Sequence, residues 1–192
     1  AVEYAIEKKI DYLTLFAFST ENWLREEVEV RDLISLFFDA LEEQTPELRE
    51  EKVKLNFIGD ISRFNKKLIK QIEKSKKLTE EYDPKLNLII AASYGGKWDI
   101  INAIKKFHAD KNNKELNEDS LENYLETKSF PNPDLIIRSG GEKRLSNFYL
   151  WQSSYSELFF SDKLWPDFNV KDFDIALEDF RSRKRKFGVE TG

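Results

Sequence analysis

Residues 86–100 read LNLIIAASYGGKWDI, a buried strand that turns into a helix. Residues 86–92 form an apolar run of the length and composition typical of a strand buried on both faces. From Trp98 to His108 the apolar residues Ile101, Ile104 and Phe107 recur at helical spacing. This stretch therefore predicts one strand–helix unit of an α/β fold.

The same alternation of strand and helix continues on both sides of that unit. Further strands are predicted at residues 12–18, 53–58, 134–138 and 157–160, and further helices at 28–48, 62–82, 116–124 and 170–187. Alternating strands and helices imply parallel pairing through right-handed crossovers. We predict an α/β fold with a central, mostly parallel β-sheet flanked by helices. Because no repeat or linker interrupts the pattern, residues 1–192 are expected to form a single domain.

Composition excludes several classes of function. The 192 residues carry a formal net charge of -5, which argues against a nucleic-acid partner because such proteins need a basic face. With no Cys and one His, neither a thiolate nor a multi-histidine zinc site can be built. No apolar run is long enough to span a membrane, and no signal peptide is visible. We expect a cytoplasmic protein with at most peripheral membrane contact.

Polar sequence follows three of the predicted strands directly. The three segments are residues 19–23 (STENW), 93–99 (SYGGKWD) and 138–144 (RSGGEKR). In parallel α/β sheets, ligands bind beyond the carboxyl ends of the strands. We therefore expect these segments to meet at one edge of the sheet and to form the active site.

The segment after the fourth strand has the chemistry of an anion site. Arg138 and Arg144 supply guanidinium groups, Ser146 supplies a hydroxyl, and Gly140 and Gly141 permit a close backbone approach with free amides. Arginine forks match phosphate oxygens in a bidentate manner, so a diphosphate would suit this turn. A surface turn with solvated charges is the competing interpretation, and the residues alone leave both open.

Two other features also have two explanations. Residues 19–23 either form a site or cap the helix that follows. Glu157 lies between apolar neighbours, and an unpaired buried carboxylate is costly, so it needs a partner or a metal ion. The basic run that includes Arg181 and Arg183–Lys186 is expected to be a solvated helix end.

Five blocks in order resemble a known family over nearly the whole chain. This is the cis-prenyltransferase family, in particular the bacterial undecaprenyl diphosphate synthases. The blocks are FSTENWLR (18–25), IGDISRFN (58–65), YGGKWDI (94–100), RSGGEKRLSNFYLWQ (138–152) and SELFFSDKLWPDF (156–168).

The resemblance implies an activity and a set of site residues. Family members condense isopentenyl diphosphate repeatedly onto farnesyl diphosphate with cis double bonds, require Mg²⁺, act as cytoplasmic homodimers and supply the lipid carrier for cell-wall synthesis. By this resemblance Asn22 would accept or relay the proton, and Glu157 would bind magnesium. Isopentenyl diphosphate would be held by Arg138, Arg144, Leu145 and Ser146. The mobile loop at the allylic substrate would comprise Ser19, Thr20, Glu21, Trp23 and Arg25 around Asn22. The apolar helix after Val28 and the strand at 86–92 would line the tunnel for the growing chain.

The chain departs from the family pattern in two places. The family's leading block, which contains an aspartate for magnesium and the allylic diphosphate, is absent, so we expect an N-terminal portion to precede Ala1. Glu26 stands where the family usually has a proline, which leaves the loop less restricted. The alternative function is a non-catalytic partner subunit of the same family. Such a subunit would be expected to lose Arg138, Arg144 and Glu157, all of which are present.

Overall fold

The computed structural model describes residues 1–81, 83–112 and 115–184. The chain forms two compact units, the N-terminal unit Val2–Phe130 and the C-terminal unit, which begins at Pro131 and includes Ala1. Every strand pair in either unit is parallel. The predicted α/β class with parallel strands and flanking helices is therefore confirmed.

The N-terminal unit contains a three-stranded sheet in the order β1-β3-β2. Its strands are β1 (Tyr12–Ser19), β2 (Val53–Ile58) and β3 (Leu86–Tyr94), and its helices are α1 (Val2–Glu7), α2 (Glu27–Glu50), α3 (Lys66–Leu78), α4 (Gly96–Ala109) and α5 (Glu118–Glu122). Short 3₁₀ turns follow β1 at Thr20–Leu24 and β2 at Ile61–Arg63. All three predicted strands are present within two residues of the expected bounds.

Helix α3 is shorter than the predicted helix at 62–82. It begins at Lys66 because the preceding residue, Asn65, caps it: the Asn65 side chain accepts the Leu68 N–H at 2.9 Å. Residue 82, where the predicted helix ends, lies outside the described residues. Asn117 caps α5, where its side chain accepts the Ser120 N–H at 2.9 Å.

One face of this sheet packs against α2 and α3. Alternate residues of β3 and β2 point to that face, and the apolar stripe of α2 covers it. The buried residues of this core include Leu41, Leu55, Leu68, Ile72, Leu86, Leu88 and Ile90. Because each side chain on the central strand is enclosed on both faces, β3 is apolar without alternation, as its sequence indicated.

A buried polar seam joins α2 to α3. The Thr45 hydroxyl donates to the Leu41 carbonyl, and its oxygen accepts from the Ser75 hydroxyl at 2.8 Å. Thr79 donates to the Ser75 carbonyl at 2.8 Å and accepts the Leu55 N–H at 3.2 Å. These bonds satisfy polar groups that would be costly to bury alone.

Up to residue 184, the C-terminal unit contains a two-stranded parallel sheet and one α-helix. Its elements are β4 (Leu135–Arg138), β5 (Glu157–Phe160), a 3₁₀ turn at Trp165–Asp167 and α6 (Val170–Ser182). At the start of α6 the Asp172 carboxylate accepts the Asn169 N–H at 2.9 Å and pairs with Lys163. The Asn169 N–H and the Lys163 ammonium hold the pKa of Asp172 below its usual value.

Helix α6 ends before the predicted bound of residue 187. The helix stops at Ser182, and Arg183 is extended, with its guanidinium bonded to Glu157 on β5. Residues 185–187 of the predicted helix, which include two of the basic residues, lie outside the described residues. Among the described residues, no helix is long and apolar enough to cross a membrane.

Candidate active site

The segment after β1 forms a compact 3₁₀ turn rather than an open loop. The Asn22 side-chain oxygen accepts the Ser19 N–H at 2.7 Å. The Thr20 hydroxyl donates to Glu21 at 2.9 Å, and Arg25 pairs with Glu29 at 2.5 Å in the first turn of α2. Asn22 therefore closes the 3₁₀ turn on which it lies. Helix α2 begins after Glu26 without a side-chain cap bond, so residues 19–23 do not cap the helix that follows.

Trp23 lies in an aromatic cluster at the end of the sheet. Its ring centroid is 5.0 Å from that of Phe18 and 5.3 Å from that of Phe64. The Trp23 indole N–H donates to the Ser93 hydroxyl at 3.0 Å, and the Arg63 guanidinium lies 4.7 Å from the ring centroid. Trp23 is therefore half-buried and anchored to the carboxyl end of β3.

The ends of β1 and β3 meet as the sequence predicted. Ser19 is in register with Tyr94 across the parallel pair. The Tyr94 hydroxyl donates to the buried Asp99 carboxylate at 2.9 Å, and the same carboxylate accepts the Glu126 N–H at 2.9 Å. Asp99 therefore ties β3 to α4 and to the segment after α5, which gives it a structural role in the first turn of α4.

The turn after β4 brings three of the predicted residues together. Nη1 of Arg138 donates to the Ser146 hydroxyl at 2.7 Å and bonds the Arg144 carbonyl. The Arg144 guanidinium lies at the surface and pairs with Glu142. Leu145 is half-buried beside them and accepts the Phe148 N–H through its carbonyl at 3.0 Å. One guanidinium and one hydroxyl thus converge, while the second guanidinium faces solvent.

The expected free amides of Gly140 and Gly141 are not free, and that part of the prediction is wrong. The Gly140 N–H donates to the Lys163 carbonyl at 2.7 Å, and the Gly141 N–H donates to the Ser161 carbonyl at 2.9 Å. Both glycines have a positive φ, 93° and 77°, so the turn needs glycine for its backbone conformation. Their amides hold the turn to the segment after β5.

Glu157 has a protein partner. Its carboxylate accepts a hydrogen bond from Nη1 of Arg183 at 2.6 Å, and Nη2 of Arg183 bonds Asp179 at 2.6 Å and the Leu158 carbonyl at 3.2 Å. The hydrogen bonds to Glu157 and Asp179 raise the pKa of Arg183 above its usual value. The sequence offered a partner or a metal ion for Glu157, and the structure contains the partner.

Glu157 and Arg138 are not brought together within the C-terminal unit. Glu157 is in register with Leu135, whereas Arg138 is in register with Phe160. The two backbones are therefore three residues apart along the strands, about 10 Å, and the side chains point to opposite faces. Among the described residues, no group of three or more His, Cys, Asp or Glu side chains could hold a metal ion.

An apolar cleft opens between the N-terminal halves of α2 and α3. Its volume is about 420 Å³. Its apolar lining residues are Val30, Ile34, Phe38 and Leu68, and its charged lining residues are Glu27, Arg31 and Lys67. The Lys67 ammonium lies 3.9 Å from the Phe38 ring centroid. The sequence predicted an apolar lining from α2 but not the contact of Lys67 with Phe38, because lysines on an amphipathic surface helix are usually solvated.

Two further residues at these sites were not predicted. Ser93 was included only as part of a polar strand end, and Arg183 only as part of a basic helix terminus. A serine before two glycines and an arginine near the chain end carry no local pattern that indicates a specific contact. Their partners, Trp23 and Glu157, are 70 and 26 residues away along the chain.

A match to a family model assigns the chain to a class of enzymes that transfer prenyl groups. Residues 1–188 match the family model described as "Putative undecaprenyl diphosphate synthase". The chain belongs to this family of cis-prenyltransferases.

Relatives and solved structures agree with this assignment. The chain is 47% identical to ditrans,polycis-undecaprenyl-diphosphate synthase ((2E,6E)-farnesyl-diphosphate specific) of Coxiella burnetii, over 98% of this chain and 81% of the relative. A probable undecaprenyl diphosphate synthase from Campylobacter jejuni superposes with a TM-score of 0.89 at 38% identity, covering 97% of this chain and 88% of that one. Lavandulyl diphosphate synthase from Lavandula x intermedia, solved with dimethylallyl diphosphate, gives a TM-score of 0.91 at 35% identity, covering 97% and 83%.

Proposed function

We propose that the protein condenses isopentenyl diphosphate units onto farnesyl diphosphate with cis double bonds. The product would be a polyprenyl diphosphate, undecaprenyl diphosphate, which serves as the lipid carrier for cell-wall synthesis. The observation that supports this most strongly is the 47% identity to the farnesyl-specific synthase across almost the whole chain.

Arg138, Arg144, Leu145 and Ser146 are proposed to bind isopentenyl diphosphate. Arg138 already directs Nη1 to the Ser146 hydroxyl, so the charged and hydroxyl donors are preassembled. Arg144 is exposed, and its pair with Glu142 lies at the surface, so a diphosphate could recruit it at little cost. Charge-assisted bonds from arginine forks would then hold the diphosphate and orient the double bond.

The Ser19–Arg25 segment is proposed to serve the allylic substrate. Ser19, Thr20, Glu21, Trp23 and Arg25 would surround it, and the Asn22 amide oxygen would accept or relay the proton that leaves when the new bond forms. In the free protein that oxygen is occupied by the Ser19 N–H, so it is held at a defined position. The protein's part is positioning and stabilisation of anionic charge.

Magnesium is proposed as the cofactor, with Glu157 as a protein ligand. Mg²⁺ is commonly bound through one or two carboxylates together with substrate phosphates and waters, so a single carboxylate is compatible with that mode. When bound, Mg²⁺ would stabilise the charge on the departing diphosphate. Arg183 holds the Glu157 carboxylate in place by the 2.6 Å bond.

A cytoplasmic homodimer is proposed as the working form, with no nucleic-acid partner. The net charge of -5 supports the proposal that no nucleic acid is bound. Large apolar side chains at the surface of the C-terminal unit support a homodimer, because such side chains often mark interfaces. Trp165 and Leu164 are 55% and 62% exposed.

Product sizing tests the function directly. The full-length protein would be incubated with farnesyl diphosphate, labelled isopentenyl diphosphate and Mg²⁺, and the products separated by chain length. We expect a ladder that ends in a long cis-polyprenyl diphosphate, and chelation of Mg²⁺ should abolish it. No elongation would contradict the proposal and favour the non-catalytic partner subunit.

Arg138→Ala tests the diphosphate site. Loss of charged hydrogen bonds worth about 1.5–3 kcal/mol should raise the KM for isopentenyl diphosphate by about 10- to 100-fold. Arg181→Ala, which removes an exposed arginine from α6 of the same unit, is the matched control and should leave KM unchanged. An unchanged KM in Arg138→Ala would remove this residue from the site.

A further inference from the structure

The IGDISRF block at residues 58–64 has no part in the proposed chemistry, yet it wraps closely around the end of β3. The Asp60 N–H donates to the Ser93 carbonyl at 3.0 Å. Gly59 has φ +114°, and a Cβ on it would lie 2.1 Å from the Ala92 carbonyl oxygen. The turn after β2 therefore fits against the backbone of residues 92 and 93 with no space for a side chain at Gly59.

The same turn supplies two of the contacts that hold Trp23. Phe64 packs on the indole ring, and the Arg63 guanidinium lies over its face at 4.7 Å, a distance typical of a cation–π contact. Ser93 accepts the indole N–H at 3.0 Å. Trp23 is thus clamped between the ends of two strands that are more than thirty residues from it along the chain.

Ser93 has an unusual backbone conformation for its residue type. It is fully buried and has φ +52°, in the left-handed region that L-residues other than Gly, Asn and Asp seldom adopt. Such strain persists only where the surroundings enforce it, and it concentrates at functional positions. Here the Asp60 N–H holds the Ser93 carbonyl on one side, and the Trp23 indole engages the hydroxyl on the other.

We propose that Ser93 and Arg63 are positioning residues that hold Trp23 and thereby fix the 3₁₀ turn on which Asn22 lies. Asn22 precedes Trp23 directly, and within the turn its side chain accepts the Ser19 N–H. An anchored indole next to Asn22 restricts the remaining freedom of the turn. The positioning role rests on the proposed function, because it assumes that Asn22 takes part in catalysis. The contacts that clamp Trp23 do not depend on that function. It gives Trp23 an anchoring role in addition to its proposed place at the allylic substrate.

The clamp is tested first by a measurement that does not depend on enzyme activity. Fluorotryptophan incorporation gives one fluorine NMR signal for each of the four tryptophans, and Trp23→Phe identifies the signal of Trp23. Ser93→Ala removes the acceptor, and Arg63→Gln removes the cation from a surface position where misfolding is not expected. We expect both to shift or broaden the Trp23 signal and to leave the other three unchanged. Ser62→Ala, in the same turn but directed to Asp60, is the matched control and should move none of them.

Kinetic measurements then show whether the residues that anchor Trp23 also position Asn22 for catalysis. A lost hydrogen bond at this position should lower kcat by about three- to tenfold in Ser93→Ala. The KM for isopentenyl diphosphate should be unchanged, because Arg138 binds that substrate. Arg63→Lys, which keeps the cation, should restore most of the activity lost in Arg63→Gln. If Ser93 acts only through Trp23, the double variant Ser93→Ala/Trp23→Phe should be no worse than Trp23→Phe alone.

Three results would overturn parts of this assignment, and they can be told apart. If the Trp23 signal is unchanged in both Ser93→Ala and Arg63→Gln, these residues do not clamp Trp23. If the Trp23 signal changes but kcat stays at the wild-type value, the positioning role is refuted and the contacts serve only as a structural anchor. A wild-type protein that elongates nothing refutes the proposed function instead, and the NMR result still decides whether the clamp exists.

Discussion

At the scale of single residues, close backbone packing at Gly59 holds the polar ends of β2 and β3 against each other. The glycine Cα faces the Ala92 carbonyl, and the next residue, Asp60, bonds the Ser93 carbonyl. Backbone atoms cannot move aside as a flexible side chain can. Adding even a methyl group at residue 59 should therefore disrupt the packing of β2 against β3 at this end.

Gly59→Ala should destabilise the protein by about 3 kcal/mol or more, since it adds a clash with backbone to the cost of a positive φ. Gly140→Ala separates the two causes, because Gly140 also has a positive φ but its Cβ would meet nothing within 4 Å. That control should cost only about 1–2 kcal/mol. Urea denaturation of both variants measures the difference, and equal losses would show that the Ala92 contact is unimportant.

At the scale of elements, two kinds of polar contact hold helices in place. The Thr45–Ser75 seam fastens α2 to α3 inside an apolar layer. At α6, the Asp172 carboxylate satisfies a helix-start N–H and pairs with Lys163 from the segment before the helix. The first contact is buried and insensitive to pH, whereas the second depends on a charge.

Ser75→Ala should cost about 1–3 kcal/mol, because it leaves the buried Thr45 hydroxyl with one partner fewer. The double variant Thr45→Val/Ser75→Ala should cost less than the sum of the single variants, since it removes both polar groups. Ser35→Ala, on the exposed side of α2, is the control and should stay within about 0.5 kcal/mol of wild type. Additive losses in the urea midpoints would contradict a shared bond.

Asp172→Asn should lower the melting temperature at neutral pH and make little difference in acid. The folded-state pKa of Asp172 lies below its ordinary value of 3.8, so its stabilisation is present above that pH and is lost as the pH falls through the folded-state pKa. Melting curves of both proteins between neutral pH and about pH 3 should converge at the acid end. Asp167→Asn, which replaces an exposed carboxylate of the preceding turn, is the matched control and should leave the melting temperature at neutral pH close to that of wild type. A constant gap between wild type and Asp172→Asn would show that charge is not the cause.

At the scale of the whole molecule, the predicted site residues are divided between the two compact units. Ser19, Thr20, Glu21, Asn22, Trp23 and Arg25 belong to the N-terminal unit, and Arg138, Arg144, Leu145, Ser146 and Glu157 to the C-terminal unit. The proposed reaction joins two diphosphate substrates, and each unit holds the residues proposed for one of them. Activity should therefore be a property of the whole chain and not of either unit alone.

The homodimer proposal leads to a test at this scale. Trp165→Glu places a charge in the exposed apolar surface of the C-terminal unit, and interface cores tolerate charge poorly. We expect wild type to sediment with twice the mass of the chain and Trp165→Glu to sediment as a monomer. Ile101→Glu alters a residue of the N-terminal unit that is similarly exposed, at 53%, and should remain a dimer. A monomeric wild type, or a dimeric Trp165→Glu, would contradict the proposal.

The sequence by itself determined the alternation of strands and helices, because apolar periodicity and glycine turns are local properties. It also determined the family, since five ordered blocks are specific even without a structure, and it located Arg138 and Ser146 at a strand end. Only the tertiary structure decided which side chains meet: Trp23 with Ser93, Glu157 with Arg183, and the Gly140 amide with the Lys163 carbonyl. Such pairings depend on how distant segments pack, and no local pattern in the chain encodes a contact between residues so far apart.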